Sequence, residues 1–146
     1  MPSRPRRIAR AADRLFVDSS AWIALRSRRD QYHEAADRAF RAAIEQSVPL
    51  VTTNLVVAEV HRLSLFRAGH EAAQRALDCI DASPSVSVHF ATGDDHVAAR
   101  RWLQRLAPRP ITYTDAISFA VIEATKCNRV LSFDRDFAAA GFELGT

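Results

Sequence analysis

Residues 113–126, YTDAISFAVIEATK, constrain this chain more than any other stretch. The pattern predicts a helix, and Ala116, Ile117, Phe119, Ala120, Val121, Ile122 and Ala124 leave it no broad polar face. A helix that is apolar nearly all round belongs in the interior, with other elements packed on several sides. Asp115 stands in its first turn, behind Thr114. A carboxylate at the head of a buried helix needs a partner, because an unpaired buried charge is costly. Either Thr114 or Asp115 caps the helix by accepting backbone N–H bonds, or Asp115 faces a metal ion. The choice turns on whether other carboxylates converge on it.

The rest of the chain alternates short apolar runs with helical periodicity. Residues 14–17 (RLFV), 49–52 (PLVT), 85–90 (SVSVHF) and 129–132 (RVLS) read as strands, and 142–144 as a short edge strand. Helical spacing follows Asp18, Ser19 and Ser20, and recurs over 30–47, from Thr53 or Asn54 to Gly69, over 70–80 and over 92–107. Gly69 is placed to end its helix, and Thr92 with Asp95 has capping-box spacing. Pro108 and Pro110 break the chain before the buried helix. Strands alternating with helices predict an α/β fold, a mainly parallel sheet covered by helices on both faces in three α/β/α layers.

With 146 residues, 48% of them hydrophobic, the chain is expected to form one domain around one core. Its net charge is +3, and all but one of its 20 basic residues are Arg, Lys126 being the only lysine. Arg suits bidentate phosphate contacts and stacking on bases, although a GC-rich coding sequence produces the same bias. No apolar run approaches the roughly 20 residues of a membrane span. The N-terminal residues are basic with no apolar segment after them, which excludes a secretory signal. They read as a poorly ordered arm over 1–13, followed by the folded domain over 14–146. Cys79 and Cys127 lack the spacing of a zinc site or a disulfide framework. Two unpaired thiols and no signal or span indicate a cytoplasmic protein without a membrane partner.

Four carboxylates stand where such a sheet gathers its ligands. Asp18 ends the first strand, Asp115 opens the buried helix and Asp134 follows the fourth strand. The carboxyl ends of strands line the ligand crevice of parallel sheets. Glu59 lies on the apolar side of its helix, beside Val56, Val60 and Leu63, where an unpaired carboxylate is rare. Each has an ordinary alternative: Asp18 is also placed as a helix N-cap, and Arg62 is an i+3 partner for Glu59. Together the four would repel and shift one another's pKa values. A hard divalent cation with oxygen ligands, Mg2+ above all, relieves that repulsion, and two ions could share the site. No imidazole or thiolate cluster accompanies the acids, which argues against zinc. Tyr32 and His33 read as surface or packing residues, and Asp94 and Asp95 are explained by helix capping.

The ordered acids and their flanking words resemble the PIN-domain family, especially the toxin nucleases of bacterial VapBC-type toxin–antitoxin pairs. The resemblance runs over about residues 15–142 through FVDSSAWIAL, TTNLVVAEVHRL, YTDAISFAVIEA and VLSFDRDFAAAGF. In these words Asp18, Glu59, Asp115 and Asp134 match the family's four acids. Ser19 matches the hydroxyl after the first acid, and Ser132 stands where members often carry Thr. Asp136 falls at a position that is not uniformly acidic in the family. The resemblance implies a PIN-like fold and a Mg2+-dependent endoribonuclease in which Mn2+ substitutes. Asp18, Glu59, Asp115 and Asp134 would be its catalytic and metal-holding residues, supported by Ser19, Thr114, Ser132 and Asp136. It further implies structured RNA substrates such as tRNA or rRNA loops, a homodimer, and inhibition by a VapB-like antitoxin whose basic residue reaches the acidic pocket. The alternatives are a PIN-like RNA-processing nuclease and a non-catalytic RNA-binding domain, neither with a toxin role. A phosphotransfer receiver or aspartyl phosphatase needs an acid pair or a DxD at the first strand, which DSS does not supply.

Overall fold

The computed structural model describes residues 13–145. Its strands are β1 (Leu15–Val17), β2 (Leu50–Thr53), β3 (Val86–His89) and β4 (Arg129–Leu131), joined in the order β3-β2-β1-β4. Every pairing is parallel, with Leu15 opposite both Leu50 and Arg129. The helices are α1 (Ser19–Arg26), α2 (His33–Glu45), α3 (Asn54–Ala68), α4 (His70–Ala82), α5 (Gly93–Leu106), α6 (Tyr113–Ala124) and α7 (Arg135–Ala139). They cover the sheet in the expected three-layer α/β/α arrangement. No helix among the described residues is long and apolar enough to cross a membrane.

Both central strands are short and wholly apolar or hydroxyl-bearing, as strands covered on two faces must be. β1 is buried throughout, and so is β2. Helix α6 is buried without interruption from Asp115 to Ile122, which is why its sequence shows no polar stripe. Phe119 of α6 stacks edge-on against Phe137 of α7 and against Trp102 of α5, while Phe142 tilts against Trp102 and Phe119. On the other side Trp22 of α1 packs on Phe40 of α2.

One expectation is corrected, and two further features had no sequence signal. Residues 142–144 do not form a strand: Val130 and Leu144 make a single parallel bridge beside β4. Gly141 turns the chain with φ of 95°, and Phe142 is drawn to the aromatic cluster, so only Leu144 comes into register. Helix α7 had no sequence signal, because five residues are too few to show a period. Asp13, placed in the N-terminal arm, is buried and accepts a 2.9 Å hydrogen bond from Asn128 Nδ2. The rest of the expected arm, residues 1–12, lies outside the described residues.

Candidate active site

The site forms where β1 and β4 end side by side. The Asp18 N–H continues the ladder to Leu131 O at 3.1 Å. Thr52 Oγ1 donates to Val17 O at 2.9 Å and fastens β2 to the same place. Asp18 then caps α1 and is buried, with 2% of its surface exposed. Three serines surround its carboxylate. Ser20 Oγ donates to Oδ2 at 2.9 Å, Ser132 Oγ donates to Oδ2 at 3.0 Å, and Ser19 Oγ lies 3.4 Å from Oδ1. Burial pushes the Asp18 carboxyl above its usual range, the bonds from Ser20 and Ser132 pull it back, and the charge of Glu59 adds to the rise.

Asp115 has no capping duty. The hydroxyl at the head of α6 is that of Thr112, which accepts from the Asp115 N–H at 3.2 Å. Thr114, expected to support the site, lies within the first turn, and its carbonyl accepts from Ser118 Oγ. The N-cap is thus Thr112 rather than Thr114 or Asp115, and Thr114 is a helical residue. The Asp115 carboxyl is pushed up to about 8, first by burial, then by the charges of Asp18, Asp134 and Glu59, with a Thr112 hydrogen bond acting the other way.

Glu59 reaches the cleft from the side of α3. Its Oε2 accepts from Ser19 Oγ at 2.6 Å, which ties it to the Asp18 cluster. Its alternative partner, Arg62, lies instead over the Phe66 ring at 5.9 Å. Asp134 caps α7 through the Asp136 N–H at 2.9 Å, while its own N–H donates to Ser132 Oγ at 3.0 Å. One carboxylate oxygen from each of Asp115, Asp134 and Asp136 lies within 4.8 Å of the others. Asp136 is nevertheless partly spoken for, because Arg109 Nε donates to its Oδ1 at 2.7 Å.

Asp18, Glu59, Asp115 and Asp134 therefore line one open cleft of about 580 Å³. Its described lining holds carboxylates and hydroxyls but no histidine or cysteine. That all-oxygen donor set fits a hard divalent cation and does not fit zinc. Three of the five histidines have partners elsewhere: His33 meets Ala24 O at 2.8 Å, His89 meets Asp95 at 2.7 Å, and His96 meets the Tyr113 hydroxyl at 2.8 Å.

The cleft also holds residues the sequence did not assign to it, among them Ser20, Tyr32, Arg67, Thr112, Phe133 and Arg135. Ser20 alone had a signal, as the second hydroxyl after a strand-end acid. The Tyr32 ring stacks on Phe133, a contact between loops that are distant in the chain.

A PIN domain model matches residues 15–143. The chain is 37% identical over 128 residues to the 23S rRNA-specific endonuclease VapC20 of two Mycobacterium tuberculosis strains, covering 88% of this chain and 95% of that protein. It superposes on the crystal structure of M. tuberculosis VapC20, described as a Sarcin-Ricin loop cleaving toxin, with a TM-score of 0.79 at 36% identity over 88% of this chain and 95% of that one. VapBC2 from Rickettsia felis, bound to a promoter DNA fragment, shares the fold alone, with a TM-score of 0.69 at 9% identity over 89% of this chain and 96% of that one. This chain belongs to the PIN-domain family, as a VapC-like member.

Proposed function

We propose that the chain is a divalent-metal-dependent endoribonuclease that cuts structured RNA, ribosomal RNA first, and that it acts as the toxin of a cytoplasmic toxin–antitoxin pair. The observation that carries this reading is the convergence of Asp18, Glu59, Asp115 and Asp134 on one cleft. The PIN family membership and the 37% identity to a 23S rRNA-specific endonuclease support the substrate class.

Mg2+ would be held by Asp18, Asp115 and Asp134, with Glu59 at the side and Asp136 in support, and Mn2+ would substitute. When bound, it supplies charge for a phosphodiester oxygen and lowers the pKa of water toward neutrality. The residues prepare that chemistry. Ser20 and Ser132 hold Asp18 in one rotamer, and Ser19 holds Glu59 at a fixed distance from it. Asp115 keeps its proton up to about pH 8 when no cation is present, so cation binding there displaces a proton and strengthens as the pH rises. Arg67 and Arg135 line the cleft, where guanidinium groups suit phosphate oxygens. The acidic cleft also suits the basic side chain of a VapB-like antitoxin, and we propose a homodimer as the toxin's assembly.

The test is cleavage of ribosomes or purified rRNA, followed by end-group analysis. We expect 5′-phosphate and 3′-hydroxyl ends, arrest by EDTA, recovery with Mg2+ or Mn2+, and no cleavage by Asp115→Asn. Cyclic 2′,3′-phosphate ends formed in EDTA would overturn the mechanism. Normal growth on strong expression of the chain without an antitoxin would overturn the toxin role.

A further inference from the structure

Tyr32 and Phe133 are far apart in the chain, yet their rings stack with centroids 4.5 Å apart and planes 3° from parallel. The other aromatic contacts among the described residues are tilted or edge-on, at 38° to 87°. A parallel pair presents flat outer faces on which a further ring can stack. Tyr32 is 41% exposed although Phe133 covers one of its faces. Both rings line the cleft that holds the carboxylates.

Short links fix the distance from the stack to the acids. The Phe133 N–H donates to Ser20 Oγ at 3.0 Å, and the same hydroxyl donates to Asp18. Asp134 is the next residue. On the other side the Tyr32 N–H donates to Asp30 Oδ1 at 2.8 Å, which sets the turn that presents the ring. Arg67 and Arg135 line the same cleft, and among the described residues their side chains make no hydrogen bond or ion pair.

We propose that the Tyr32–Phe133 stack is a platform for one unpaired nucleobase of the RNA, beside the phosphodiester addressed by the carboxylates, with Tyr32 as the residue that selects a turned-out nucleotide. Bases freed from a helix stack on aromatic side chains, and bases inside a helix cannot reach them. Cleavage is thereby confined to loops in which a base next to the cut is unstacked. RNA fits better than a protein segment because free guanidinium groups share the cleft and match phosphate oxygens. The position of the cut relative to the base rests on the nuclease reading; the stacking of the base does not.

The probe is a hairpin RNA carrying the sarcin–ricin loop sequence, with 2-aminopurine placed at each loop position in turn, bound to the Asp115→Asn protein so that it stays whole. One position should be quenched on binding. Tyr32→Ala and Tyr32→Leu should abolish the quenching and weaken binding about 5- to 150-fold, while Tyr32→Phe retains both. An abasic nucleotide at that position should cost the parent as much as Tyr32→Ala does, and the two losses should not add. Additive losses, or unchanged binding by Tyr32→Leu, would overturn the platform. So would a Tyr32→Ala protein that binds RNA normally but no longer captures its antitoxin, since the ring would then be a protein contact. If Tyr32→Ala in the otherwise unaltered chain cleaves RNA at the full rate, the platform fails and the nuclease reading stands. If the quenching appears while the parent shows no metal-dependent cleavage, the nuclease reading fails and the platform stands.

Discussion

Replacing Asp115 by Asn should stabilise the metal-free protein, and by more as the pH rises. The Asp115 carboxyl stands at about 8 in the folded protein, against a usual 3.8. Between those values an unfolded chain has released this proton and the folded one retains it. The folded state therefore binds more protons across the window, so its stability falls as the pH rises from about 4 to about 8 and then levels off. Each pH unit in that window costs about 1.4 kcal/mol, which sets a ceiling of about 4 kcal/mol at pH 7. Asp115 is only 7% exposed, so solvent screens the penalty little, but water entering the open cleft relaxes part of it. We expect Asp115→Asn to gain about 2–4 kcal/mol at neutral pH and under about 1 kcal/mol near pH 4.5. Urea unfolding in EDTA at about pH 4.5, 7 and 8.5 reads this as a shift of midpoint at constant slope. Mg2+ should reverse the order, because a ligand that binds only the folded parent stabilises it and the Asn variant loses most of that gain. A gain that is equal at all three pH values would refute the reasoning, since the carboxylates would then not be forcing one another toward neutrality.

Ser20→Ala removes the hydroxyl that donates to Asp18 and accepts from the Phe133 N–H; it should cost about 1–2 kcal/mol of stability and slow cleavage roughly tenfold in single-turnover assays. Asp136→Asn should retain most activity where Asp115→Asn retains none, because Arg109 already occupies Asp136 Oδ1; equal losses, with equal rises in the Mg2+ needed, would make Asp136 a full metal ligand. Trp102→Ala should cost about 3–5 kcal/mol in urea unfolding, since Trp102 is 5% exposed and packed on Phe119 and Phe142, yet leave the rate per folded molecule unchanged.

What the sequence determined by itself was the local content of the fold. The period of two or of 3.6, the capping residues and the apolar run of α6 are properties of neighbouring residues, so strands β1 to β4 and helices α1 to α6 were legible within a few positions. The four acids were legible for the same reason, as each stands at the end of a predicted element or on its apolar side. The tertiary structure decided what those local signals leave open. It put β1 between β2 and β4, which brings Asp18 to Ser132 and the α3 side chain of Glu59 to Ser19. It put the α6 cap at Thr112 rather than at Thr114 or Asp115, gave Asp136 an arginine partner 27 residues away, and laid Tyr32 on Phe133. None of these contacts has a periodic signature, because each joins segments whose separation in space is set by sheet order and loop path rather than by spacing along the chain. The raised pKa of Asp115 has the same origin: burial and three charges from three other elements act on it, and only the packed sheet brings those charges together.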